Sequence, residues 1–167
     1  MSQPIQPYIY TTYIRTTPEK LWQALTSADF SEKYWFGYRI EGDWKLGGKL
    51  NFQAPKNMNP HLAKKADSCL DDDSCKVLIY EPPRRLSYTF PNKEADTHRK
   101  PSRVTFDLTP MGEMVKLRLV HEDLLPQDVN ADPTSWSGIN NGWPGVISSL
   151  KSLLETGQEI VYSGKAG

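Results

Sequence analysis

His121 is the side chain of this 167-residue sequence best suited to chemistry. It closes the alternating run Val115, Leu117, Leu119, His121, so its imidazole shares a side with three apolar residues. An imidazole facing an apolar pocket can bond a ligand or carry a proton. It can equally be a core histidine bonded to backbone or to a tyrosine, since burial does not separate the two roles. Two cysteines, Cys69 and Cys75, are the other reactive groups. With no signal peptide in view they are expected to be reduced thiols. The run Asp71-Asp72-Asp73 lacks the spaced oxygen ligands and glycine of a calcium loop, and His61, His98 and the cysteines lack zinc spacing. No Gly-x-Ser-x-Gly elbow, phosphate loop or dinucleotide fingerprint occurs. No metal and no cofactor are expected, and no catalytic set is assigned.

The other resource is aromatic. The chain carries 5 Trp, 8 Tyr and 5 Phe, a supply that can fill a core or line a pocket. Lys plus Arg is 20 and Asp plus Glu is 20, so the balance lacks the basic footprint of a nucleic-acid binder. The longest apolar runs, Tyr34-Trp35-Phe36 and residues 77–80, are far short of a bilayer span. The N-terminus has neither a basic nor an apolar leader segment, so a cytoplasmic protein is expected.

Positioning these groups is the task of the elements. Residues 8–15 read as a strand. Thr17 is an expected N-cap and Pro18 an expected N1 for a short helix with Leu21, Trp22 and Leu25 on one face. Asp29 is expected to cap a second short helix over residues 30–35, ended by Gly37. Strands follow at 38–44 and 49–54 around the turn signal Gly47-Gly48. Residues 55–73 break the pattern with Pro, Asn and Asp and predict a mobile loop, nicked first near Lys64-Lys65. Residues 74–81 are apolar on both faces and predict a central strand. Alternation returns around Leu86, Tyr88 and Phe90, around Val104, Phe106 and Leu108, and in the run ending at His121.

The strongest periodic signal is near the end. Trp143, Val146, Ile147, Leu150, Leu153 and Leu154 fall within a helical arc of roughly 120°. Ser148, Ser149, Lys151, Ser152 and Glu155 lie outside that arc and are expected on the solvent face. Trp136 and Ile139 share the apolar arc, so the helix is expected to start near residue 133, after an Asp132 cap, and to kink at Pro144. Gly157 is the expected stop. A strand, two short helices, about six further antiparallel strands and a long helix make an α+β chain. The expected architecture is a helix-grip fold, a curved antiparallel sheet of six to seven strands around the C-terminal helix. One domain is expected over residues 1–160, with a flexible tail at 161–167.

Four segments together resemble the activator of heat-shock-protein-90 ATPase-like branch of the START-like (SRPBCC, Bet v-like) superfamily. They are residues 17–26 with Thr17-Pro18-Glu19, Gly47-Gly48 after Trp44, residues 77–89 with Pro82-Pro83-Arg84-Arg85, and Gly142-Trp143-Pro144 leading into residues 148–157. The resemblance covers nearly the whole chain apart from residues 55–73, where the family usually has a shorter connection. It implies the helix-grip fold and a shared cavity between sheet and helix. It implies no catalytic set, because members of the family do unrelated things.

The reading that follows is a small-molecule binding protein for an apolar, aromatic or lipid-like ligand. The expected ligand-binding residues are Trp35, Phe52, Tyr88, Phe90, Phe106, Leu119, His121, Trp136, Trp143 and Ile147. One alternative is an enzyme using the same cavity with His121 as acid/base. The other is a protein-interaction module with a chaperone partner. The resemblance ranks that role lower, because eukaryotic co-chaperone members carry an additional N-terminal domain. Neither nucleic acid nor a membrane span belongs to any of these readings.

Overall fold

The computed structural model describes residues 3–55, 69, 72–92 and 99–160. The tail at 161–167, most of the 55–73 loop with Lys64-Lys65, and His61, His98 and Asp71 lie outside the described residues.

Strand β1 (Tyr8–Ile14) leads into α1 (Pro18–Leu25). The Thr17 hydroxyl accepts from the Lys20 amide at 3.2 Å, and Pro18 begins the helix as expected. This helix buries Leu21, Trp22, Ala24 and Leu25. Helix α2 covers Ala28–Tyr34 and is entered from Ser27, two residues before the expected Asp29 cap. The Asp29 carboxylate is engaged elsewhere, accepting from Arg39 Nη1 at 2.9 Å. Phe36 at φ +50° and Gly37 at φ +84° then reverse the chain.

Strands β2 (Arg39–Gly42) and β3 (Leu50–Gln53) pair as a hairpin. Its turn requires glycine at position 48, where a Cβ would sit 1.7 Å from the Asp43 carbonyl oxygen. Strands β4 (Val77–Glu81), β5 (Arg85–Thr89), β6 (Arg103–Met111) and β7 (Met114–Glu122) complete an antiparallel five-stranded sheet. Its order is β1-β7-β6-β5-β4. The expected central strand is therefore an edge. Two features explain its apolar character on both faces. Val77 is buried inside and Tyr80 packs edge-on against Trp22 at 5.4 Å, while a bulge between Val77 and Ile79 turns the intervening side chain. The edge is also covered at its start: Val77 N bonds Gly48 O and Gly47 N bonds Val77 O, both at 2.9 Å.

Helix α3 (Ile139–Thr156) lies against the sheet and buries Trp143, Val146, Ile147, Leu150 and Leu153. It ends at Gly157 with φ +82°, as expected. Its start is six residues later than expected. Asp132 caps only a local turn, accepting from the Thr134 amide at 2.9 Å. The chain then passes Gly138 at φ +92° before helical geometry begins. Trp136 therefore belongs to the loop before α3. The helix runs through Pro144, whose missing amide leaves out one hydrogen bond near the N-terminal end.

Ser149 also departs from expectation: it is buried, not solvent-facing. Its hydroxyl accepts from Ile160 N at 3.0 Å, because the chain after Gly157 folds back over the helix. Finally, Cys69 and Cys75 are joined in a disulfide, not held as two thiols. Cys75 takes φ +55° and turns the chain so that the two Cα atoms lie 5.7 Å apart, within reach of a bond. No helix among the described residues is long and apolar enough to cross a membrane.

Candidate ligand-binding site

The inward faces of β5, β6 and β7 meet the apolar face of α3. Register explains which residues do so: Tyr88 pairs with Val104, Val104 with His121, and Phe106 with Leu119. All five point inward and all five are buried. Trp143 descends from α3 onto this surface and is 3 % exposed. Its ring centroid lies 5.0 Å from Trp35, 5.8 Å from Phe90, 5.9 Å from Phe106 and 5.9 Å from His121. Phe90 carries the contact onward to Phe52 at 5.6 Å and to Tyr88 at 6.2 Å. Trp44 meets Tyr88 at 5.9 Å. These separations are those of rings in direct contact, so the chain's own side chains occupy much of the space between sheet and helix. Leu119 and Ile147 complete the buried floor.

His121 is tied at both nitrogens. The Trp143 indole Nε1–H donates to His121 Nδ1 at 2.9 Å. An indole nitrogen only donates, so Nδ1 is the bare nitrogen and Nε2 carries the proton. Nε2 lies 2.9 Å from Ser102 Oγ and donates to it. Burial is the largest influence on the imidazole and drives its pKa down to about 3. Asp128 opposes that shift and Arg99 adds to it. The ring stays neutral at any physiological pH. With both nitrogens spent inside the protein, it offers a ligand its ring edge and face. A proton-transfer role would require Trp143 or Ser102 to move first. Burial also raises the hydroxyl of Tyr88, and that of Tyr34, which donates to Ala24 O at 2.7 Å. Neither ionises near neutral pH.

Towards solvent the cluster changes character. Trp35, Phe52 and Phe90 are only partly buried, as are Phe36, Trp44 and Trp136. Trp136 meets Phe36 at 6.0 Å over the N-terminal half of α3. Gly145 makes this approach possible: a Cβ there would lie 3.1 Å from the Trp136 ring and 3.2 Å from the Phe36 ring. Nine of the ten expected residues thus share one continuous assembly. Trp136 stands beside it, on the loop before α3, meeting Phe36 over Gly145. Phe36, Trp44 and Ser102 belong to the same surroundings and escaped sequence reasoning. Ser102 could have been found, since it has the inward parity of Val104 and Phe106. Phe36 could not, because its direction depends on a left-handed backbone that nothing in its side chain favours. Among the described residues, no group of three or more His, Cys, Asp or Glu side chains is placed to hold a metal ion.

A family model described as activator of Hsp90 ATPase homolog 1-like protein matches residues 15–155. No curated protein sequence matches significantly. Among solved structures, protein MLL2253 from Mesorhizobium loti is 28% identical, with a TM-score of 0.64 over 89% of this chain and 96% of that one. The Aha1 dimer from Colwellia psychrerythraea is 19% identical, with a TM-score of 0.63 over 92% of this chain and 98% of that one. PFC0360w, described as an HSP90 activator from Plasmodium falciparum, is 18% identical, with a TM-score of 0.61 over 89% and 95%. The last two show likeness of fold alone.

Proposed function

The chain belongs to the family of activator of Hsp90 ATPase homolog 1-like proteins, and from that premise we propose that it is a binding module for an apolar, aromatic or lipid-like small molecule. One observation carries the proposal. The ring contacts run without a break from the buried His121–Trp143 pair to Trp35, Phe52 and Phe90, which stay partly exposed. Aromatic surface left in water costs free energy that an apolar occupant would recover. The positive φ of Phe36 is of the kind retained where a ligand surface is needed. Trp35, Phe52 and Phe90 would touch the ligand. Phe106, Leu119, His121, Trp143 and Ile147 would form the wall behind them. A ligand larger than a single ring would displace Trp35 or Trp136, both of which stand outside the strands.

The family supplies a second reading, a chaperone-related protein partner, for which the same partly exposed aromatics would be the contact surface. An acid/base enzyme draws no support from His121, whose nitrogens are both occupied. The two binding readings separate by experiment. Native mass spectrometry of the purified chain should detect a retained apolar compound, or an added hydrophobic dye should bind saturably to the folded protein. Trp35→Ala should weaken that binding about tenfold or more, as loss of an aromatic anchor does. If the folded chain retains nothing and binds no apolar probe, while a chaperone co-purifies through Trp35, the small-molecule reading is wrong and the partner reading stands.

A further inference from the structure

A second depression lies on the opposite face of the sheet. Thr89, Arg103 and Glu122 are register partners of one another across β5, β6 and β7. Each adjoins an inward residue, Tyr88, Val104 or His121, so these three side chains point outward. With Lys76, Leu78, Asp73, Asp123 and the segment Arg99-Lys100-Pro101 they line a pocket of about 610 Å³. That volume is typical of a small-molecule site.

Its charged groups are largely paired with one another. Glu122 accepts from Arg103 Nη2 at 2.7 Å, and Asp123 pairs with Lys100 at 3.3 Å. Arg99 is spent as well, donating to Asp128 at 2.8 Å and to the Asp123 carbonyl at 2.9 Å. Two donors stand out. The Lys76 ammonium has no acceptor among the described residues. Arg103 Nε–H is buried and has no hydrogen-bond partner among the described residues. A buried guanidinium donor without an acceptor is costly, and an anionic oxygen is the partner that relieves it best. Leu78 and Pro101 add an apolar wall beside these donors.

We propose that this outer pocket binds a small organic acid, its carboxylate or phosphate oxygens held between Lys76 and Arg103 and its short apolar tail set against Leu78 and Pro101. The site is separate from the aromatic cluster and does not depend on what that cluster holds.

The test follows the Arg103 Nε–H resonance and the backbone amides of Lys76, Thr89 and Glu122 by NMR in the full chain. Butyrate, butyl phosphate, inorganic phosphate and butanol are titrated in turn. Butyrate or butyl phosphate should shift Arg103 Nε–H saturably, and whichever binds more tightly identifies the head group. Butanol should not shift it, and inorganic phosphate should bind at least about tenfold more weakly than butyl phosphate. Lys76→Met should weaken binding about tenfold or more, and Lys76→Arg should restore most of it. Lys76 is half-buried, and an unchanged circular dichroism spectrum would show that its variants are folded. The proposal is overturned if neither acid shifts Arg103 Nε–H, if butanol does so equally, or if Lys76→Met leaves the affinity unchanged.

Discussion

Within the aromatic cluster, His121 shows how far one residue's type can be read and where that stops. Parity along β7 placed it inward, and the structure agrees. Its role depended on Trp143 and Ser102, which lie far from it in sequence and come together only when α3 docks. The consequence for stability has a definite sign. The unfolded imidazole titrates near its ordinary 6.5, the folded one near 3. Below 6.5 the unfolded chain takes up a proton that the folded chain refuses, so stability falls as pH drops from about 6.5 towards 3. The slope from this one group is at most about 1.4 kcal/mol per pH unit. His121→Gln can keep both hydrogen bonds without titrating, and its denaturant midpoint should fall less steeply between pH 6.5 and 5 than that of the wild type. Equal slopes would mean that the wild-type imidazole is not held neutral. Trp143→Phe keeps a ring but leaves Nδ1 buried without its donor, and should cost about 1–3 kcal/mol. Nitrogen chemical shifts should show the fixed Nε2–H tautomer in the wild type and its loss in Trp143→Phe.

Helix α3 was the most legible element, because a one-faced apolar repeat needs no knowledge of tertiary structure. Trp143, Val146, Ile147, Leu150 and Leu153 are all buried as that repeat requires. Its solvent face was less legible. Ser149 looked exposed by angle, but the segment returning to Ile160 covers it, and no local pattern announces a chain that folds back. The helix start was misplaced for a related reason: Asp132-Pro133 has the composition of a helix cap, yet Asn140 and Asn141 side chains bind the Asn130 carbonyl and hold the preceding segment as a loop. Residues 74–81 carry the pattern of a central strand although β4 is an edge, because edge burial by a neighbouring hairpin has no signature in the strand itself. These differences change what mutations should do. Leu150→Ala should lose about 2–5 kcal/mol, as a fully buried core leucine does. Ser149→Ala should lose about 1 kcal/mol by releasing Ile160, and Ser148→Ala should stay within about 0.5 kcal/mol. Urea melts of the three variants would check this ranking. Ser149 and Ser148 behaving alike would show that the return segment is not clamped in solution.

For the molecule as a whole, the order of elements and the inward aromatics sufficed to anticipate a sheet gripping a helix. How that grip closes could not be anticipated, because it joins opposite ends of the chain. Glu155 near the end of α3 accepts from the Arg15 amide at 2.8 Å and from Lys151 at 2.7 Å. Lys151 in turn donates to the Tyr13 carbonyl at 2.6 Å. Two residues expected to face only water thus fasten the helix to the exit of β1, which itself pairs with β7 over seven residues. The Arg15 amide first, and then Lys151, hold the Glu155 carboxyl below the usual carboxylate range. A depressed carboxylate stabilises the fold above its unfolded pKa, and the contribution is lost as pH falls through the folded value. His121 destabilises the folded chain in acid over a window that begins two units higher, so the two effects can be told apart. Glu155→Gln keeps the shape and removes the charge. It should lower the melting temperature at pH 7 and converge with the wild type only once pH has fallen through the lowered folded value, where the native carboxyl is protonated too. Hydrogen exchange gives the location: amides of β1 should exchange faster in Glu155→Gln at pH 7, while those of β6, paired on both sides within the sheet, should not change. If β1 and β6 respond equally, the variant has lowered global stability alone and Glu155 is not the clasp that closes the grip.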